Sequence, residues 1–336
     1  MRIALVSPVF HGYWKSIQHG LEQCGHEVVP VIYDARSGLV GKLSAKLRYD
    51  IPRRFGSDPV DAEMAAASNR VSCQVQNIRP DLLLVVKGDT LDPGFIGSVR
   101  ADGTTTALWL YDELSRMHHT VEGLEGYDLV ASYSPSDTQR LVAQGVAAIH
   151  LPNAFDERLT PTRDTNKRTA DVVLVGARYS NRERSLKEIS RAGLEVRAYG
   201  RDWSHHLVDR GRSLSWYRPN LPAGRDLPRE LAATAMAQAT AVLNRHGVGH
   251  EGFTMVTFEA AGVGGLELID RPDVEALYEP GREVIVFQEA QEAIEAVERA
   301  KRDSVWADAI RDSARRRTLA QHTYRHRCAQ LLADLC

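Results

Sequence analysis

The sequence predicts an α/β protein built of two doubly wound domains in tandem, and three observations lead there. Short apolar runs alternate with longer amphipathic stretches from end to end, which implies βαβ units joined by right-handed crossovers. Most of the runs are rich in Val, Ile or Leu, as strands covered on both faces of a parallel sheet are. The length, 336 residues, exceeds one ordinary core and suits two at about 150 residues each.

In chain order the apolar runs of the first half fall at 3–9, 28–33, 82–86, 106–110, 129–133 and 147–151. A helical pattern at 14–24 ends at Gly25, a natural left-handed residue for a helix C-terminus. A second, at 61–78, is stopped by Pro80. The stretch PNAFDERLTPTRDTNKRT is polar, holds two prolines and lacks apolar periodicity, so it reads as a linker at 153–169. It separates a first domain, 1–152, from a second that restarts at 170. There the strand runs are 172–176, 195–199, 214–217, 241–243, 265–269 and 284–287, with helices at 181–192, 229–238, 254–262 and 291–301. The tail from 303 to 336 is helical in pattern. Folds of this kind bind ligands at the carboxyl ends of their strands.

Composition narrows the function. Hydrophobic residues make up 43% and charged residues 26%, the balance of a water-soluble globular chain. A net charge of −2 excludes a broad polyelectrolyte surface for nucleic acid, though not a local basic pocket. No apolar run approaches the roughly 18 residues of a membrane span. The chain opens directly on a strand pattern, without a charged leader and cleavage site, and Cys24, Cys73, Cys328 and Cys336 form no CxxC pair. The expectation is a cytoplasmic protein with reduced thiols and no zinc site.

The most informative text is EGFTMVTFEAAGVGG, beginning at Glu251. It follows a strand ending at Asn244 and leads into a helix near Thr254, whose hydroxyl can accept from the free amides of the first turn. A helix start carries unpaired N–H groups and the positive dipole end, which suits a diphosphate. Glu259 lies one and a half turns in, where a carboxylate can take both hydroxyls of a ribose. Glu251 precedes the helix and can reach hydroxyls on whatever the diphosphate carries. The plainer alternative is a surface glutamate and a helical glutamate in an ordinary βα unit.

Glu251, seven residues, then Glu259 resembles the paired-glutamate motif of many GT-B glycosyltransferases. The fuller text FTMVTFEAAGVGG…LIDRPDVEALYEPGREVIVF resembles the CgeB-like glycosyltransferases. DLLLVVKGDTLDP, WLYDE, LPNAFD, DVVLVGARYSNRERSLKEI, YGRDW, the LN of VLNRH and HTYRHR match in order. The resemblance implies a GT-B fold: two Rossmann-like domains facing a cleft, the donor domain at 170–314, and a C-terminal helix at 315–336 crossing back to the first domain. It also implies a nucleotide sugar as co-substrate, UDP-linked in preference to GDP- or dTDP-linked. On that view Gly176, Arg178 and Arg182 form the loop after the donor domain's first strand, and Asn244, Gly252, Phe253 and Thr254 join the two glutamates. The bland reading of Arg182 is a charged helix face of i,i+4 pairs.

Sugar transfer to a hydroxyl needs a base, and three strand-end loops of the first domain offer candidates. They carry His11, Asp89 in KGD, and Asp112 in YDE. Each has a structural alternative: Asp112 as a cap, Asp89 as a turn residue. His118 and His119 lack further ligands at suitable spacing, and no Asp-x-Asp pair follows a strand in the manner of metal-dependent transferases, so no metal and no other cofactor is expected. The long segment 35–60 is basic, and Arg53 and Arg54 are candidates for holding a polar or anionic acceptor. A homodimer stays open. The competing function is a non-catalytic nucleotide-sugar sensor or partner subunit. A dehydrogenase is disfavoured because neither domain opens with GxGxxG.

Overall fold

The computed structural model describes residues 1–34, 59–92, 94–100, 103–161, 169–213, 215–247 and 249–335. Arg53, Arg54 and most of the basic segment 35–60 lie outside them. The chain divides into two compact units, one of Met1–Asn153 with Tyr324–Cys336, the other of Ala154–Thr323.

In unit 1 the strands are β1 (Arg2–Ser7), β2 (Glu27–Ile32), β3 (Leu82–Val86), β4 (Thr105–Leu110), β5 (Leu129–Ser132) and β6 (Ala148–His150). They form a parallel sheet in the order β2-β1-β3-β4-β5-β6. All five residues of β3 and all but the first of β1 and β4 are buried, which is why these strands read as unbroken apolar runs. The helices are α1 (Tyr13–Gln23), α2 (Pro59–Ile78), α3 (Phe95–Arg100), α4 (Val121–Leu124) and α5 (Pro135–Ala143). Gly25, just past α1, has φ 87°, the left-handed turn expected of it.

Unit 2 holds β7 (Val172–Val175), β8 (Val196–Tyr199), β9 (Ala223–Gly224), β10 (Ala241–Asn244), β11 (Glu267–Ile269) and β12 (Ile285–Val286). They too are parallel, in the order β12-β11-β10-β7-β8-β9. The helices are α6 (Ser180–Arg191), α7 (Leu207–Ser213), α8 (Arg229–Gln238), α9 (Met255–Gly262), α10 (Ala290–Arg302) and α11 (Ser304–Gln321). Period-two alternation sends Val172 and Leu174 to one layer, with Trp203 and Phe287, and Val173 to the other, with Phe258 and Tyr278.

Two expectations are corrected. No strand runs through 215–217: Trp216 and Tyr217 are 75% and 54% exposed, and the edge strand is the short β9. The helical tail is not one element and does not change domain at 315. Helix α11 belongs to unit 2, the chain turns at His322 and Thr323, and α12 (Tyr324–Ala333) belongs to unit 1. There α12 crosses back onto α1. A Cβ on Gly20 would stand 2.8 Å from the Tyr324 carbonyl carbon, so glycine permits the close approach. Tyr111 and Tyr324 join hydroxyls at 2.8 Å, and Arg327 Nε donates to the Pro152 carbonyl at 3.0 Å. No helix among the described residues is long and apolar enough to cross a membrane.

Candidate functional site

In unit 2 the order of the strands places β7 beside β10, with the chain leaving β7 toward β8 and leaving β10 toward β11. Such a reversal opens a crevice at the carboxyl ends of the two strands. The loop after β7 carries Gly176, and the loop after β10 runs from Arg245 to Thr254 before α9 begins.

Close packing accounts for the glycines here. Gly176 has φ 132°, and a Cβ on it would come 3.2 Å from Arg182 Nη1. Gly200, with φ 155°, would set a Cβ 2.5 Å from the Gly176 oxygen. That oxygen accepts from Trp203 Nε1 at 2.9 Å, so the indole beside the strand end is packing.

The first turn of α6 ties the two loops together. Asn181 Nδ2 donates to the His246 carbonyl at 2.6 Å. Arg182 donates from Nε to the Arg245 carbonyl and from Nη1 to the Ala177 carbonyl at 2.9 Å. Its guanidinium is stacked over Tyr179 at 5.0 Å, the residue is 6% exposed, and burial pulls its pKa below the usual value. The expected role of Arg182, neutralising a diphosphate, is not the one its visible contacts serve: it holds the crevice in shape. Arg178 pairs with Glu183 at 2.9 Å and stacks over Tyr217 at 5.0 Å.

Across the crevice, Thr254 is the N-cap of α9, but its side chain caps nothing and its Oγ1 is buried without a hydrogen-bond partner. The expected hydroxyl cap is therefore absent. The amides of the first turn are left without a side-chain cap, a favourable environment for an anion. Phe253 contacts two groups that the sequence did not single out: the Arg271 guanidinium over its ring at 4.9 Å and the His246 ring at 5.8 Å, edge-on. Arg271 also donates to the His250 and Glu251 carbonyls at 3.1 and 2.8 Å, fixing the backbone just before Gly252. The Glu251 side chain is exposed.

Asn244 stands beneath the crevice. It is buried, and its Nδ2 donates to Thr257 Oγ1 at 2.9 Å and Glu267 Oε1 at 2.6 Å, pinning α9 to the strand. Burial pushes the Glu267 carboxyl up to about 8, against the smaller opposing effect of the Asn244 bond. Glu259 is buried with one oxygen 3.4 Å from Arg229 Nη2, and Arg229 reaches on to Asp156 at 3.6 Å. A ribose at Glu259 would share that carboxylate with Arg229.

Unit 1 has its own reversal, between β1 and β3. Two non-glycine residues with positive φ sit at those strand ends, His11 at 48° and Lys87 at 66°, each followed by a glycine of positive φ. Backbone held in this region concentrates at functional sites. The Lys87 carbonyl accepts from His119 Nε2 at 2.7 Å, and burial holds that imidazole below its usual pKa despite the bond. Lys87 Nζ lies 3.7 Å from Asp89 Oδ2. At the end of β4, Asp112 pairs with Arg116 at 3.3 Å and accepts from the Glu113 amide at 3.1 Å. Glu113, not Asp112, is the buried carboxylate there, hydrogen-bonded to Tyr133, whose hydroxyl is pushed up by burial and then by Glu113. Among the described residues no three His, Cys, Asp or Glu side chains are grouped to hold a metal ion.

Residues 178–333 match the family model described as glycosyl transferase-like. No curated protein matches the chain. Sucrose-phosphate synthase from Thermosynechococcus elongatus is similar in structure, with 15% identity and a TM-score of 0.66 over 99% of this chain and 98% of that one. HepE of Anabaena, in complex with UDP and glucose, gives 16% identity and a TM-score of 0.64 over 100% and 99%. The UDP-GlcNAc 2-epimerase of Neisseria meningitidis, bound to UDP-GlcNAc, gives 11% and 0.57 over 100% and 99%. At such identities the likeness is one of fold. The fold is GT-B, and the glycosyl transferase-like match spans every donor-side residue expected from the sequence except Gly176.

Proposed function

We propose that the chain is a glycosyltransferase of the CgeB-like kind. It would move a sugar from a nucleoside-diphosphate sugar, preferably UDP-linked, to a hydroxyl of an acceptor in the cytoplasm, without a metal ion. One observation carries this: the glycosyl transferase-like segment, 178–333, contains the end of the switch-point strand β10 and the uncapped start of α9 with Glu259 behind it. HepE, which shares the fold, holds UDP and glucose.

In this reading the diphosphate lies at the start of α9, whose amides and dipole take up the charge that develops as it leaves. Gly176 lets the backbone of the β7 loop approach it, and Arg178 adds positive charge at the rim. Glu259 takes the ribose, and Glu251 takes hydroxyls of the sugar. The bond between the sugar's anomeric carbon and the diphosphate oxygen breaks, the acceptor oxygen bonds to that carbon, and the acceptor's proton passes to a base. His11, Asp89 and Asp112 are the candidates for that base, and Arg53 and Arg54 for holding the acceptor.

The test is nucleoside diphosphate release from a panel of UDP-, GDP- and dTDP-sugars, with and without EDTA. UDP release that survives chelation is the expected result. The second reading, a nucleotide-sugar sensor, is favoured by the turning of Arg182 onto two backbone carbonyls, away from a leaving group. Tight binding of a UDP-sugar with no release under any condition would select it.

A further inference from the structure

His246 is a buried side chain of the donor loops to which this reading gives no role. It stands two residues past the end of β10 and is 4% exposed. Its position is set from three sides. The backbone N–H donates to Asp270 Oδ1 at 2.9 Å, the carbonyl accepts from Asn181 at 2.6 Å, and ring Nδ1 lies 3.0 Å from Asp270 Oδ1. Asp270 follows β11 directly and faces Arg245 Nε at 3.7 Å. A carboxylate only accepts, so Nδ1 carries the hydrogen and Nε2 of the neutral ring keeps its lone pair.

That Nε2 is buried and has no hydrogen-bond partner, and Thr254 Oγ1 is in the same condition. Unpaired buried polar atoms are rare in folded chains and each calls for a cause. Here both belong, together with Arg245 Nε, to the loop that joins the switch-point strand to α9, and the Phe253 ring packs edge-on to His246. A polar ligand entering beside Phe253 would supply partners to both.

We propose that His246 is a donor-binding residue whose Nε2 accepts a hydrogen bond from a hydroxyl of the bound nucleotide sugar, with Asp270 as its positioning residue. The inference rests on the reading of this crevice as a nucleotide-sugar site. The tautomer selects the chemistry: a lone pair backed by a carboxylate accepts from a hydroxyl and repels a phosphate oxygen. Hydroxyls of that kind are carried by both the ribose and the transferred sugar.

Calorimetric titration of the wild-type chain, His246→Asn and His246→Gln with UDP and with UDP-glucose tests this. Asparagine places an amide where Nδ1 sits, keeping Asp270 supplied, but nothing where Nε2 sits; glutamine reaches as far as Nε2. His246→Asn should lose roughly fivefold in affinity, the effect of one hydrogen bond, while His246→Gln keeps most of it. A loss confined to UDP-glucose assigns the hydroxyl to the sugar, and a loss with both ligands assigns it to the ribose. Unchanged affinity in His246→Asn, or an equal fall in His246→Gln, overturns the assignment while leaving the nucleotide-sugar reading intact. A wild-type chain that binds neither ligand removes both. If the variants do not fold, histidine-selective nitrogen spectra of the wild-type chain replace them. UDP-glucose should then shift the Nε2 signal of a ring in the Nδ1–H form, and no shift overturns the proposal.

Discussion

At the carboxyl ends of β7 and β8 the backbone takes unusual angles at Gly176 (φ 132°) and Gly200 (φ 155°), whereas at the ends of β1 and β3 it does so at His11 (48°) and Lys87 (66°). In unit 2 the need for glycine is steric as well as conformational, since a Cβ on Gly200 would overlap the Gly176 oxygen at 2.5 Å. In unit 1 a side chain is kept although the left-handed region costs a non-glycine residue about 1 kcal/mol. The difference suggests that unit 2 shapes its crevice with backbone and buried polar anchors, while unit 1 retains two basic side chains at its strand ends against a conformational penalty.

The strongest way to break that comparison is to remove an anchor of unit 2. Arg182→Ala leaves the Ala177 and Arg245 carbonyls without their buried donor, and should destabilise the fold by about 3 kcal/mol while abolishing donor binding. Chemical denaturation and calorimetry would check both. A stable variant that loses only affinity would mean that Arg182 meets the diphosphate itself. Glu267 is expected to have the next largest effect. Its folded pKa, about 8, exceeds the ordinary 4.5, so the unfolded chain releases this proton first as pH rises. Its contribution to stability therefore falls between pH 4.5 and about 8 and is level above. Glu267→Gln should flatten that fall and make the variant the more stable chain at pH 8 relative to pH 5. Parallel denaturation curves at pH 5 and pH 8 would expose the difference, and identical pH profiles would count against a neutral Glu267.

How much of this was legible in the sequence depended on the range of the forces involved. Strand β3 is fully buried, and its reading at 82–86 coincides with the structure because burial on both faces writes an unbroken apolar run. The segment LSWY looked similar, yet its aromatics are exposed, and the true edge strand, two residues long, is too short to show a pattern. The break between α11 and α12 was hidden because polar and apolar residues keep their period across His322 and Thr323. Thr254 and Gly176 were visible as strand-to-helix junctions. Nothing local marks Arg182 as the buried arginine of NRERSLK, and the His246 and Asp270 pair joins residues 24 apart, on neighbouring strand ends.

Glu259 offers a subtler probe of unit 2, because its carboxylate is already shared with Arg229 at 3.4 Å. Glu259→Gln keeps the shape and removes the charge, while Asp156 still faces Arg229 at 3.6 Å. Stability should therefore change little, and UDP affinity should fall several-fold, about 1–2 kcal/mol for a charge-assisted hydrogen bond to the ribose. Unaltered UDP binding by the folded variant would take Glu259 out of the site.

The smallest effect goes to the heart of the comparison. At His11 and Lys87, alanine and glycine variants can be measured side by side: alanine removes the side chain and keeps the strained angle, and glycine removes both. Glycine should exceed alanine in stability by about 1 kcal/mol at each position, the left-handed penalty set free. At position 176 the same order should hold with a wider gap, since Gly176→Ala adds a Cβ 3.2 Å from Arg182 Nη1 and a strained φ together. The glycine variants of unit 1 should also lose transferase turnover if the side chains are kept for acceptor chemistry. Should Lys87→Gly instead lose stability, the 3.7 Å approach of Lys87 to Asp89 would be the reason for the lysine, and that strand end would be structural. His11, which follows β1, would then carry the functional argument in unit 1 alone, and the same pair of variants at position 11 decides whether it can.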